Sequence, residues 1–267
     1  RKIAPLTKKH KVALMNLELA FPEKTPEERQ KIALDEWENI GRTLCEYPHI
    51  YKNNKLKDRI TFENPEYAKE FLNGQNGGFL LSMHYGNWEL TSLVIQIYNK
   101  KANFVYRKPN NPFVLKIFQE RGKKIGGNLI GKDENSLMKI MKCIARKELV
   151  GMLIDQKLNE GVPVKFFGTD AMTTPAPAIV AKRYGCPILL AKVERVNMSA
   201  NFKVTFHKPL VFEKGKADMK TITEITQEIS NITEQWIKEN PSQWLWIHKR
   251  WTQDAIAAEM EKRKNYK

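Results

Sequence analysis

Apolar positions along the chain alternate between helical spacing and short uninterrupted runs. Thr25-Pro-Glu-Glu28 is a capping box with Pro at the first helical position. Ile32, Trp37, Ile40 and Leu44 follow near helical spacing and predict a helix to about Tyr51. Asn64-Pro65 starts a shorter helix. Gly77-Gly78 then gives way to Phe79-Leu-Leu-Ser-Met83, an apolar run that reads as a buried strand. Gly86-Asn87 turns the chain into a helix over 89–98. Further strands are predicted at 102–106, 149–154, 162–167, 188–194 and 202–206. Helices are predicted at 111–121, 135–146, 174–184 and 217–239, with a charged helical tail from 254. Strands alternating with helices predict an α/β fold, with a largely parallel central sheet flanked by helices and a helical N-terminal segment. No repeat, low-complexity stretch or linker interrupts the pattern. The expected organisation is one domain over 1–267, with a helical part at 1–76, an α/β core at 77–210 and a C-terminal helical part at 211–267.

Composition changes this picture in one respect. Hydrophobic content of 42 % and charged content of 28 % over 267 residues are ordinary for a globular chain, but the net charge is +15. Such a surplus attracts polyanions: an anionic bilayer face, phosphorylated substrates, an acidic protein or nucleic acid. Cys45, Cys143 and Cys186 are scattered and odd in number, without a CxxC pair, so neither a disulfide framework nor a zinc site is expected.

Several chemistries lack their motifs. The chain has no GxSxG and no HExxH. Gly126 to Lys132 matches GxxxxGK, but Asp133 stands where a phosphate-binding loop needs Ser or Thr for magnesium. His84 is more informative. It ends a buried strand, precedes a Gly-Asn turn, and is the one histidine of five with a carboxylate, Glu89, five residues on. A carboxylate just past a tight turn can take one ring N–H, fix the tautomer and leave the other nitrogen free as a base. Open α/β sheets place their ligands at such strand ends.

HxxxxD or HxxxxE at a strand end is the signature of the glycerolipid acyltransferases. The chain resembles one branch, the late acyltransferases of lipid A biosynthesis, in five ordered blocks. These are 16–23 (NLELAFPE), His84-Tyr-Gly-Asn-Trp-Glu89, 106–112 (YRKPNNP), Asp155-Gln156 with 164–168 (VKFFG) and Thr173-Thr-Pro175, and 241–251 (PSQWLWIHKRW). The resemblance implies a glycerol-3-phosphate-acyltransferase-like fold. It also implies transfer of a lauroyl or myristoyl chain from acyl carrier protein to the hydroxyl of a 3-hydroxyacyl chain on a lipid A precursor, with no cofactor and no metal. By the same resemblance His84 is the general base, Glu89 orients it, and Arg107 stabilises the oxyanion or holds a phosphate. Asn87, Asp155, Gln156 and Lys165 are then expected at the substrate. Asp155 also reads as an ordinary strand-end carboxylate.

The charge fits an acidic carrier protein and an anionic lipid precursor, with Arg121, Lys123, Lys124, Lys182, Arg183, Lys249 and Arg250 as the candidate basic surface. Trp244, Trp246 and Trp251 fit either an edge at the bilayer interface or core packing. Phe104, Phe113 and Leu90 are candidates for an acyl groove. Family members usually carry an N-terminal transmembrane helix, which is expected upstream of Arg1-Lys2. With such a span, the basic flank at Arg1-Lys2 and the soluble acyl donor are expected to set the domain on the cytoplasmic face of the inner membrane. Two other readings remain: an acyltransferase for another glycolipid, such as a phosphatidylinositol mannoside, and a non-catalytic basic binding module. No nucleic-acid-binding signature appears.

Overall fold

The computed structural model describes residues 3–50, 54–108, 115–116, 120, 127–216 and 218–265. Its centre is a seven-stranded sheet in the order β1-β9-β8-β2-β5-β3-β4. The strands are β1 (Ile60–Glu63), β2 (Gly78–Ser82), β3 (Ala102–Tyr106), β4 (Leu129–Gly131), β5 (Leu149–Leu153), β8 (Ile188–Val196) and β9 (Asn201–Phe206). Neighbours run parallel except β8 and β9, which form an antiparallel pair. The remaining strands, β6 (Val162–Phe166) and β7 (Thr169–Thr173), make a separate antiparallel hairpin. The 162–167 segment is thus extended as expected, but it lies outside the central sheet.

β2 shows why its sequence is apolar throughout. Phe79 and Leu81 enter one core cluster, with Ala178 and Val180 of helix α6 (Ala176–Tyr184) and Ile225 and Ile229 of helix α7 (Met219–Glu239). Leu80 enters a second cluster, with Phe71 of α3 (Pro65–Asn73) and Leu93 and Val94 of α4 (Thr91–Ile97). A parallel strand covered on both faces has no solvent side to alternate towards.

Two N-terminal helices, α1 (Lys8–Ala20) and α2 (Pro26–Glu46), pack on each other. The capping box holds: the Glu28 N–H donates to Thr25 Oγ1, and the Thr25 N–H donates to Glu28 Oε2. α1, β1, β4 and β7 are absent from the sequence-predicted elements; β1 brings an edge strand into the part expected to be helical. The expected helix at 89–98 is a 3-10 turn, Trp88–Leu90, followed by α4. Most of the expected helix at 111–121 lies outside the described residues. Helices α5 (Ser136–Ala145) and α8 (Gln253–Asn265) fall where predicted, within one residue at their N-terminal ends. No helix among the described residues is long and apolar enough to cross a membrane.

Candidate active site

The last residues of β2 and β5, Ser82 and Leu153, face each other in register. Two residues further along each strand stand His84 and Asp155, so parallel pairing sets them side by side at the carboxyl edge of the sheet. The Ile154 N–H donates to Ser82 O and closes this last rung. The chain can turn sharply after His84 because residue 86 is glycine: its φ is +54°, and a Cβ there would stand 2.0 Å from Val193 O.

Asp155 Oδ1 lies 2.8 Å from His84 Nδ1. Asp155 Oδ2 accepts the His84 backbone N–H and the Trp244 indole N–H, each at 2.8 Å. Burial by itself would push this carboxyl up. The His84 ring, the two hydrogen bonds from His84 and the Trp244 indole outweigh it and hold the carboxyl down to about 2. Asp155 is therefore an ionised acceptor, and Nδ1 is the ring nitrogen that bears hydrogen.

Glu89, expected from its spacing to take a ring N–H of His84, is not the carboxylate on Nδ1. Glu89 lines the same cavity as His84, but Asp155 is on Nδ1. Glu89 Oε1 accepts the Trp88 indole N–H at 3.0 Å, and the Trp88 ring stands 5.5 Å from the His84 ring. Glu89 is thus bonded to Trp88, whose ring neighbours that of His84.

The other ring nitrogen, His84 Nε2, is on the side of Gln156, and both residues line a cavity of about 270 Å³. Gln156 Nε2 lies 3.2 Å from that ring nitrogen and 3.1 Å from Nε2 of a second histidine, His248. Burial lowers the pKa of His248; coupling to His84, Lys9 and Arg107 adds to this, and Asp155 opposes it. Two cations come from the next strands: Arg107 follows β3 and Lys132 follows β4, and both line the cavity. Burial lowers the Lys132 pKa, with Arg107 adding to it against the pull of Asp155. The apolar wall includes Phe104, Leu129 and Met152. The Phe104 ring fits because residue 151 is glycine; a Cβ there would meet the ring at 2.3 Å. The set offers a base with an ionised partner, cations for a developing oxyanion, and an apolar wall.

A family model described as bacterial lipid A biosynthesis acyltransferase matches residues 1–253. The chain belongs to that family. Its relatives include a lipid A biosynthesis acyltransferase of Haemophilus influenzae, 24 % identical over 90 % of this chain and 76 % of the relative. A lipid A biosynthesis palmitoleoyltransferase of Escherichia coli is 23 % identical over 92 % of this chain and 79 % of its own. A lauroyltransferase of the same organism is 21 % identical over the same shares. A solved 1-acyl-sn-glycerophosphate acyltransferase from Thermotoga maritima overlays 87 % of this chain and 96 % of its own. Its TM-score of 0.40 and 10 % identity are too weak to bear on the assignment. The chain is an acyltransferase acting on lipid A, and the non-catalytic module is set aside.

Other expected site residues fall elsewhere. Asn87 is fully buried and donates to Glu46 Oε2, whose carboxylate also takes two N–H groups of Arg195, so it braces the turn instead of meeting substrate. Lys165 is exposed on the β6–β7 hairpin and pairs across it with Asp170; it does not line the cavity. Arg250 is buried too: it donates to Met172 O and Thr173 Oγ1 and lies over the Phe166 ring, so it belongs to no basic surface. Trp244, Trp246 and Trp251 are at most 1 % exposed and pack with Phe166 and Phe167, which selects core packing over the bilayer edge. Leu90 is core, while Phe113, Arg121, Lys123 and Lys124 lie outside the described residues. His248 and Lys132 were missed as site residues, although both sit inside segments the sequence had singled out. β4 occupies Leu129–Gly131 of the GxxxxGK segment and ends one residue before Lys132, so these residues form a strand where a phosphate loop would need a turn.

Proposed function

We propose that this acyltransferase moves a lauroyl or myristoyl chain from acyl carrier protein to the hydroxyl of a 3-hydroxyacyl chain on a lipid A precursor, with His84 as general base. The observation that carries the reading is His84 itself, lining the cavity with Nδ1 on an ionised buried carboxylate and Nε2 beside Gln156. Nε2 takes the acceptor hydroxyl proton as its oxygen attacks the thioester carbonyl carbon. The charge formed on the carbonyl oxygen is met by Arg107 and Lys132. The carbon–sulfur bond breaks, the thiolate takes the proton from the imidazolium, and an ester and a free carrier thiol result. No cofactor enters this balance.

A net charge of +15 suits an acidic carrier protein and a phosphorylated lipid. Exposed Ile3 and Leu6 beside exposed Lys8, Lys9 and Lys11 suit contact with an anionic membrane surface. A soluble acyl donor sets that contact on the cytoplasmic face of the inner membrane. The test is transfer of labelled lauroyl and myristoyl groups from acyl carrier protein to a purified lipid A precursor. Wild-type protein transfers one or both, and His84→Ala loses transfer by at least a thousandfold. Absence of transfer by wild type, or transfer undiminished by His84→Ala, overturns the reading.

A further inference from the structure

Asp155 and Gln156 are consecutive, yet they take opposite nitrogens of one ring: Asp155 is on Nδ1 of His84 and Gln156 is on Nε2. We propose that Gln156, tethered by His248, is a positioning residue that holds His84 with a hydrogen on Nδ1 and a bare Nε2. The proposal rests on His84 being the base.

An ionised Asp155 only accepts, so Nδ1 bears a hydrogen. If Gln156 turned its oxygen to the rings, His84 would need a second hydrogen on Nε2 and would be an imidazolium, unable to take a proton. With its nitrogen turned inward, the amide has two N–H groups, and two ring nitrogens stand within reach, at 3.2 Å on His84 and 3.1 Å on His248. Both rings then present bare Nε2 atoms, and the burial that favours a neutral His248 agrees with that state.

The tether is itself held. Asn16 of α1 donates to Trp246 O at 2.7 Å and His248 O at 2.6 Å, and Glu36 of α2 accepts the Ile247 N–H at 3.0 Å. An N–H aimed at Nε2 pairs with the bare lone pair and so favours the tautomer with its hydrogen on Nδ1. At 3.2 Å the contact is also near the long limit for such a bond. An acceptor hydroxyl, which approaches closer, can replace it while the second N–H stays on His248.

The charged groups around this ring are Asp155 after β5, Glu89 on the Trp88 indole, Arg107 after β3, Lys132 after β4 and His248 in the C-terminal segment, with Lys9 of α1 beyond His248. None is changed by substituting Gln156. Gln156→Leu removes the donor, and Gln156→Glu replaces it with an acceptor that favours a hydrogen on Nε2. The acid limb of kcat/KM for lauroyl transfer is expected to move to higher pH, least in Gln156→Leu and by about one unit or more in Gln156→Glu. One unit is a tenfold loss on the acid side with little change on the alkaline side. His248→Phe, which keeps a ring but has no acceptor, moves the limb in the same direction as Gln156→Leu. Nitrogen-15 spectra of His84 in the intact protein provide a second readout that needs no substrate, with hydrogen on Nδ1 expected at neutral pH. Acid limbs that superimpose on wild type in all three variants, or hydrogen on Nε2 of wild-type His84, overturn the proposal. Failure of the function reading shows separately, as absence of transfer by wild type, and the spectra then decide this proposal alone.

Discussion

Replacing Asp155 by Asn sets three donors against one acceptor oxygen. Asp155 now receives the His84 N–H and the Trp244 indole N–H on Oδ2 and faces Nδ1 with Oδ1. An amide oxygen at the Oδ2 position keeps the first two bonds, but its nitrogen then faces Nδ1. Nδ1 must give up its hydrogen, Nε2 gains it, and Nε2 can no longer accept a proton. The opposite orientation keeps the tautomer but sets an NH2 group against two buried N–H groups, each left unpaired at about 1–3 kcal/mol. The first arrangement is the cheaper one, so the variant folds with its histidine inverted. The lost charge has a stability cost as well. A carboxyl near 2 in the fold and 3.8 in the free residue contributes on the order of 2 kcal/mol at neutral pH, present above 3.8 and lost as pH falls through 2. We expect Tm to drop by about 4–8 °C and kcat to drop by about 10³–10⁴-fold, the scale of a tautomer inversion in a catalytic triad. The assay is single-turnover lauroyl transfer beside a thermal melt. Glu89→Gln is the control: it keeps an oxygen for the Trp88 indole and leaves the Nδ1 contact alone, so the hydrogen on Nδ1 should stay in place whatever the change costs in rate. A rate for Asp155→Asn within tenfold of wild type would refute Asp155 as the orienting carboxylate.

Two further outcomes follow from buried contacts. Glu36 is buried with one oxygen lacking a partner, and burial pushes its carboxyl up to about 8 against the pull of the Ile247 and Trp246 backbone. Its stabilising contribution is full below 4.5 and is lost as pH rises to about 8, so Glu36→Gln should raise stability at pH 7 by up to about 3 kcal/mol and flatten that pH slope in thermal melts. A lower Tm for the variant across pH 5–8 would contradict it. Gly151→Ala should drive the Phe104 ring into the cavity and shift preference towards shorter acyl donors, while Phe104→Leu should shift it towards longer ones. Rates with donors of graded length check both, and unchanged preference in both variants would remove Phe104 from the chain-length wall.

Much of the architecture was legible along the chain because the signals are local. An uninterrupted apolar run such as 79–83 is what a strand buried on both faces requires, and the Thr25–Glu28 capping box is read within four residues. The elements missed were those without such a signal. β4 has three residues, and α1 shares its buried face with a C-terminal segment more than two hundred residues away. His84 was found from its place at a strand end, which is also local. Its partners were not. The carboxylate on Nδ1 comes from Asp155 because β5 lies next to β2 with Ser82 opposite Leu153, and strand order is set by crossovers that leave no spacing to read. Spacing offered Glu89, the nearest carboxylate in the chain, where the sheet supplies one 71 residues away. The same holds for the aromatic and basic C-terminal segment. Its composition suits a membrane edge as well as a core, and burial under α1 and the β6–β7 hairpin decided for the core. The sequence determined which residue types were present for acyl transfer and which strand would present His84. The tertiary structure decided which side chains reach its two nitrogens, because contact depends on distance in space and the chain records only distance along itself.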